Sequence, residues 1–136
     1  MLLHGWGFHH VGVAVRNLEQ AMAEYQRVGY IFSDRVEDTA QGVILAISVN
    51  PDEPPIELVA PLASPSPVDG ALKRGGPGPY HICYEVLSLD AAIEQLEDAS
   101  MPYVVVSSAT PAPLFNGRRV MFIMSPVLGL IELLEA

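Results

Sequence analysis

The sequence predicts an α+β fold made of two tandem βαβββ modules, whose strands form one curved mixed sheet. The first observation behind this prediction is an internal repeat. His10–Leu18 opens with histidine, an apolar strand and a helix-capping residue, and His81–Leu89 does the same 71 residues later. The second observation is that Ile56–Leu58 and Ile131–Leu133 both read Ile-Glu-Leu. Two matched ends in the same order indicate duplication of one supersecondary unit.

Each copy begins with a strand that continues into a helix. In the first strand, valines alternate with other residues, as expected for a strand with one buried face. Asn17 is the expected N-cap of the first helix, with Gln20 as its capping-box partner, and Ser88 is the equivalent cap in the second copy. Apolar residues at helical spacing follow each cap and predict a core-facing stripe: Leu18, Ala21, Met22 and Tyr25, then Leu89, Ala92, Ile93 and Leu96.

Three short β-rich runs, separated by turn residues, follow each helix. They are Tyr30–Arg35, Gly42–Val49 and Pro55–Ala60, then Tyr103–Ser107, Arg118–Met124 and Gly129–Glu135. The offset between the copies is 71 residues at their first strands and 75 residues at their Ile-Glu-Leu segments. A longer loop is therefore expected in the second copy, at Pro111–Gly117. We predict a first module at residues 1–62, a linker at 63–78 with a short helix at Val68–Lys73, and a second module at 79–136, together forming one compact domain.

Composition argues against several classes of function. The formal net charge of −9 lacks the basic footprint that nucleic-acid binding needs. The single cysteine, Cys83, lies in an apolar stretch and is expected to be a small buried residue. No signal-peptide pattern opens the chain, and no apolar run approaches the ~20 residues that cross a bilayer. We therefore expect a cytoplasmic protein that binds neither nucleic acid nor membranes.

Four polar side chains do not fit the apolar strands that carry them. If the valines of the first strand face the helix, His10 faces the other way, and the same alternation applies to His81. Glu57 and Glu132 lie between apolar neighbours, where an unpartnered carboxylate has a large desolvation cost. One such residue is usually structural, but the duplicated pattern favours a divalent cation held by all four in a cleft of the sheet. Nitrogen and oxygen ligands suit Zn²⁺, Ni²⁺, Co²⁺, Mn²⁺ and Fe²⁺ alike.

These features resemble the vicinal oxygen chelate superfamily, which has the glyoxalase fold. The segments that carry the resemblance are Phe8–Val15, Ile56–Leu62, Pro79–Val86 and Gly129–Glu135. Within the superfamily, Ala60–Leu62, Ser64–Val68 and Gly117–Phe122 look most similar to the methylmalonyl-CoA epimerase family. The resemblance implies metal ligands at the same four residues, and by analogy a homodimer. It leaves open whether the ligands come from one chain or two.

The resemblance implies a metal-dependent isomerase of the epimerase type, which stabilises an enolate of a small acyl thioester carried on CoA or another pantetheine. Glu132 is the candidate base, and Arg118 and Arg119 are candidates for binding a substrate phosphate or carboxylate. One departure is that the epimerase pattern carries a glutamate base where this chain has Leu45. Because leucine cannot move a proton, epimerisation with two bases is in doubt.

Three other functions fit the same residues. The first is a lyase of the glyoxalase I type, which isomerises a hemithioacetal and shares the ligand set of two histidines and two glutamates. The second is an Fe²⁺-dependent dioxygenase that uses two histidines and one glutamate. The third is a ligand-binding member of the fold without enzymatic activity, against which the complete ligand set counts.

Overall fold

The computed structural model describes residues 2–136, whose helices and strands follow the predicted order βαβββ twice. The first series consists of β1 (Gly7–Ala14), α1 (Leu18–Arg27), β2 (Val36–Asp38), β3 (Val43–Ile47) and β4 (Ile56–Pro61), and α2 (Asp69–Gly75) follows it. The second consists of β5 (Gly78–Val86), α3 (Leu89–Asp98), β6 (Val104–Ala112), β7 (Arg118–Ser125) and β8 (Gly129–Glu135), with a 3-10 helix at Pro113–Phe115. The α+β prediction with two βαβββ modules is thereby confirmed.

The chain divides into two units. Residues 10–80 form the first unit, and residues 81–136 form the second together with the N-terminal segment up to His9. In the first unit the strand order is β2-β3-β4-β1, with β1 parallel to β4 and the other pairs antiparallel. The second unit repeats this plan as β6-β7-β8-β5, with β5 parallel to β8.

Each unit has a core between its helix and one face of its sheet, which we call the helix face. Alternate strand residues supply that face because successive side chains point to opposite sides. In the first unit the core is made by Val13, Val15, Leu18, Ala46, Leu58 and Ala60. In the second it is made by Val86, Leu89, Ala92, Leu96, Met121, Ile123, Ile131 and Leu133. Both predicted caps are present, since Asn17 accepts from the Gln20 amide and Ser88 from the Ala91 amide.

Two predicted strand positions differ from the structure. The strand expected at Tyr30–Arg35 is reduced to an isolated bridge at Phe32, and β2 begins only at Val36. The rings of Tyr30 and Phe32 pack against each other and against the ring of Tyr25 in α1. These side chains therefore contact the helix, and their backbone does not form a regular β-ladder. In the second unit β6 extends to Ala112 through two register shifts, into the region expected to be a loop.

The segment before β1 packs against the second unit. Trp6 donates from its indole Nε1 to Gln95 Oε1 at 2.8 Å, and its ring centroid lies 5.6 Å from that of Tyr84. Gln95 in turn donates to the carbonyl oxygen of His4. Cys83 is fully buried among Ala112, Val120 and Leu134, as the sequence predicted. None of the described helices is long and apolar enough to span a membrane.

Candidate functional site

In the first unit, His10 and Glu57 lie side by side on the face of the sheet away from α1, which we call the ligand face. Parallel pairing of β1 with β4 places Gly12 opposite Glu57, so no side chain stands between the carboxylate and the neighbouring histidine. His10 Nε2 lies 3.5 Å from Glu57 Oε1. His10 is 0% exposed and Glu57 is 2% exposed, so both polar groups are removed from solvent.

The remaining ligand face of the first unit is apolar around this pair. Ile47 is the register partner of Glu57 on β3, and Leu45 is paired with Val59 one step further along the same two strands. Ala14 follows Gly12 on β1 and is buried. Leu45 is buried as well, at 7% exposure. The Leu45 side chain forms an aliphatic wall beside the pair, and it has no ionisable group.

In the second unit, His81 and Glu132 repeat the arrangement. Parallel pairing of β5 with β8 places Cys83 opposite Glu132, and Phe122 on β7 is the antiparallel partner of the same glutamate. His81 Nε2 lies 3.3 Å from Glu132 Oε1, and the Phe122 ring packs edge-on to the imidazole at 5.3 Å between centroids. Both members of the pair are buried. The two His–Glu pairs therefore occupy equivalent register positions in their own units.

The ligand face of the second unit differs because it carries an ion pair. Glu85 follows Cys83 by two residues on β5, and its Oε2 accepts from Nη2 of Arg118 at the start of β7. Arg118 also donates from Nε to the Glu135 carbonyl oxygen at 2.8 Å. By register, Glu85 stands at the position that Ala14 occupies in the first unit. Sequence reasoning missed Glu85, although its alternation with His81 was visible in the strand.

Arg119 lies on the helix face, opposite to its neighbour Arg118. Its guanidinium donates to both carboxylate oxygens of Glu135, at 2.9 and 3.0 Å. The Leu89 amide at the start of α3 donates to the same carboxylate. The hydrogen bonds from Arg119 and then from Leu89 lower the pKa of Glu135 below its ordinary value. Of the two predicted anion-binding arginines, Arg118 shares a face with His81 and Glu132, and Arg119 does not.

The donor chemistry of the two pairs fits a divalent metal ion. Each pair offers one imidazole nitrogen and one carboxylate, donors that first-row transition ions accept. Burying a carboxylate costs free energy unless a cation or hydrogen bonds compensate it. Both carboxylates, Glu57 and Glu132, are buried. The histidine nitrogen and the carboxylate oxygen lie 3.5 Å apart in the first pair and 3.3 Å apart in the second, which is close enough for each pair to share an ion.

Comparison with known proteins decides the family. Residues 9–122 match the model of the Glyoxalase/Bleomycin resistance protein/Dioxygenase superfamily, which is most of the chain. The chain belongs to this glyoxalase superfamily. The family predicted from the repeat and the strand motifs is therefore confirmed.

Relatives of this glyoxalase-superfamily chain include named epimerases. The ethylmalonyl-CoA/methylmalonyl-CoA epimerase of Cereibacter sphaeroides is 32% identical over 116 residues, which cover 85% of each chain. The mitochondrial methylmalonyl-CoA epimerase of Bos taurus is 33% identical over 132 residues, covering 94% of this chain and 73% of that one. The crystal structure of methylmalonyl-CoA epimerase from Mycobacterium tuberculosis has a TM-score of 0.83 at 30% identity, covering 99% and 92% of the two chains. These relatives support an epimerase-like function.

Proposed function

We propose that this glyoxalase-superfamily protein is a metal-dependent isomerase that moves the α-proton of a small acyl thioester carried on CoA or another pantetheine. The observation that carries the proposal is the repetition of one buried His–Glu pair, His10 with Glu57 and His81 with Glu132, at equivalent strand positions. The CoA part of the proposal is supported by the acyl-CoA substrates that the relatives' names state.

We further propose that the two pairs bind one divalent ion together. A single pair supplies two donors, whereas transition-metal ions in catalytic sites are held by at least three protein ligands and keep a position for water or substrate. Two pairs supply four donors, which leaves one or two positions open on a five- or six-coordinate ion. When bound, the ion would stabilise negative charge that develops on a substrate oxygen as the α-proton leaves.

Glu132 is the proposed base. Its carboxylate has two oxygens, so one can hold the cation while the other accepts a proton from the substrate. Cys83 and Phe122 flank it in the sheet and shield the proton transfer from water. In the first unit, Leu45 provides no equivalent base, so the aliphatic wall that it forms with Val59 suits the apolar part of an acyl group.

Arg118 is the proposed partner of an anionic group of the substrate. It lies on the ligand face, and its present partner Glu85 is itself partly exposed. A substrate phosphate or carboxylate would replace Glu85 as the acceptor, because a guanidinium binds such groups through two parallel hydrogen bonds.

Single replacements of Arg118 and Arg119 by glutamine compare the contribution of the ligand face to substrate binding with that of the helix face. We expect the larger rise in KM for a phosphate-bearing thioester from Arg118→Gln.

Metal analysis of the purified protein tests the shared ion. We expect about one divalent ion per wild-type chain. His10→Ala and His81→Ala should each weaken metal binding by at least about tenfold, since even outer-sphere changes do so. Glu94→Gln on the exposed side of α3 is the matched control. Two ions per chain, or unchanged metal binding in both histidine variants, would contradict the proposal.

A thioester screen in heavy water tests the reaction. Methylmalonyl-CoA and ethylmalonyl-CoA are incubated with the metal-loaded enzyme, and loss of the α-proton signal is followed by NMR. We expect exchange with at least one of them and none after chelation. The glyoxalase I-type lyase is the second candidate, favoured by the two-histidine, two-glutamate donor set and by leucine at position 45. Turnover of the hemithioacetal of methylglyoxal and glutathione, without thioester exchange, would establish that candidate instead.

A further inference from the structure

A cavity of about 400 Å³ lies in the first unit, away from the His10–Glu57 pair. Its lining includes Val13 and Val15, which belong to the helix-face core, and Tyr25 of α1. The segment that follows α2, at Pro77 and Gly78, lines it as well. Because Val13 and His10 point to opposite faces of β1, the cavity is separate from the proposed metal site.

Arg16 lines this cavity and has no acidic partner among residues 2–136. Four other arginines each lie within 4.0 Å of a carboxylate: Arg27, Arg35, Arg118 and Arg119. Lys73 and Arg74 likewise have no carboxylate within 4.0 Å among the described residues, and all three side chains are exposed. Of these three cations, only Arg16 lines the cavity. Glu24, which also lines the cavity, is the carboxylate beside Arg27 at 3.9 Å. The cavity therefore has one cation that is available to a ligand.

The segment between α2 and β5 passes beside Arg16. Gly76 has a φ of 71°, a conformation that favours glycine, and a Cβ added there would lie 4.0 Å from Arg16 Nη2. Gly78 has a φ of 154°, and a Cβ added to it would meet nothing within 4 Å. The chain at Gly76 therefore passes within van der Waals contact of the guanidinium, and the space beside Gly78 is open.

We propose that this cavity is a second binding site, for a small organic anion whose carboxylate or phosphate group pairs with Arg16. The apolar body of the ligand would lie against Val13, Val15 and Tyr25. The volume is within the range of about 300–1,000 Å³ that is usual for small-molecule sites. A planar guanidinium recognises both anionic groups through paired hydrogen bonds, so the shared chemistry is an anion on a short apolar chain.

Calorimetric titration with three probes tests the site. Hexanoate and hexyl phosphate carry the two anionic groups, and hexanol is the neutral analogue. We expect saturable binding of one or both anions that persists after chelation of metal, with hexanol binding more weakly. Arg16→Gln should raise the Kd of the anions by about tenfold to a hundredfold and leave that of hexanol unchanged, because a hydrogen bond to a charged group is lost.

Two further variants keep the test decisive. Arg74→Gln is the matched control, since Arg74 is an exposed cation of the same unit that does not line the cavity. Ala21→Leu fills the cavity from α1 and should weaken binding of all three probes at unchanged charge. Equal weakening by Arg16→Gln and Arg74→Gln would show attraction to general charge and overturn the proposal. Absence of saturable binding to the folded wild-type protein at millimolar probe would also overturn it.

Discussion

The two units place the same His–Glu pair on the same register positions but surround it differently. The first unit has Ala14 and Leu45 near its pair, and both are buried and apolar. At the position equivalent to Ala14, the second unit has Glu85, joined to Arg118. The repeat therefore specifies the two His–Glu pairs, whereas the additional ion pair of Glu85 with Arg118 is present only in the second unit. In the function that we propose, both units hold the metal ion and the second unit carries most of the chemistry.

The largest expected effect separates the two glutamates. Glu132→Gln should lower the rate of α-proton exchange by about 10²–10⁴, the usual contribution of a positioned acid or base. Glu57→Gln should lower it at least tenfold less at saturating metal, because we propose that Glu57 holds the ion without moving the proton. Exchange in heavy water, with metal content measured in parallel, checks this. Equal losses in both variants would make the two units equivalent in the chemistry.

A smaller effect compares the cores. Leu58 on β4 and Leu133 on β8 follow the two glutamates directly, and both are 0% exposed on their helix faces. Replacing either by alanine should cost about 2–5 kcal/mol of unfolding free energy, because it leaves a cavity in a packed core. Urea denaturation measures the cost. Val127→Ala at an exposed turn is the control, and a loss below about 1 kcal/mol at either leucine would show that its unit repacks.

The smallest effect depends on pH and is specific to the second unit. Hydrogen bonds from Arg119 and Leu89 lower the pKa of Glu135 below its ordinary value. The stability that this carboxylate contributes is therefore present above the ordinary pKa and is lost as the pH falls through the folded pKa. The wild type should therefore be more stable than Arg119→Gln near neutral pH, and the two should converge in acid. Denaturation at several pH values checks this. A difference that does not shrink in acid would exclude the carboxylate as its source.

The donor pairs could be predicted from the sequence because they depend only on the repeat and on alternation within a strand. His10, Glu57, His81 and Glu132 needed no knowledge of which strands are neighbours. The Glu85–Arg118 ion pair did need it, because β5 and β7 are separated by α3 and β6 in the chain. The two strands are brought near each other by β8, which pairs with β5 on one side and with β7 on the other.

The strand boundaries were less predictable where residues of high β-propensity pack against other side chains and do not lie in a strand. Tyr30 and Phe32 have high β-propensity, but they pack as rings against Tyr25 instead of extending a ladder. Trp6 was not predicted to bind Gln95, because the contact joins residues 89 positions apart. A single sequence without neighbouring-strand information does not encode such partners in any local pattern.

Strand β6 has a consequence for how the protein behaves in concentrated solution. It is an edge strand of the second unit's sheet, and its first three residues, Val104, Val105 and Val106, are all at least half exposed. Edge strands usually resist self-pairing by carrying charged side chains, yet Val104–Ala112 contains none. Pro111 and the two register shifts of β6 interrupt its edge, and repulsion between molecules of net charge −9 adds to that protection. Colloidal stability should therefore decline as the pH approaches the isoelectric point of about 4.6.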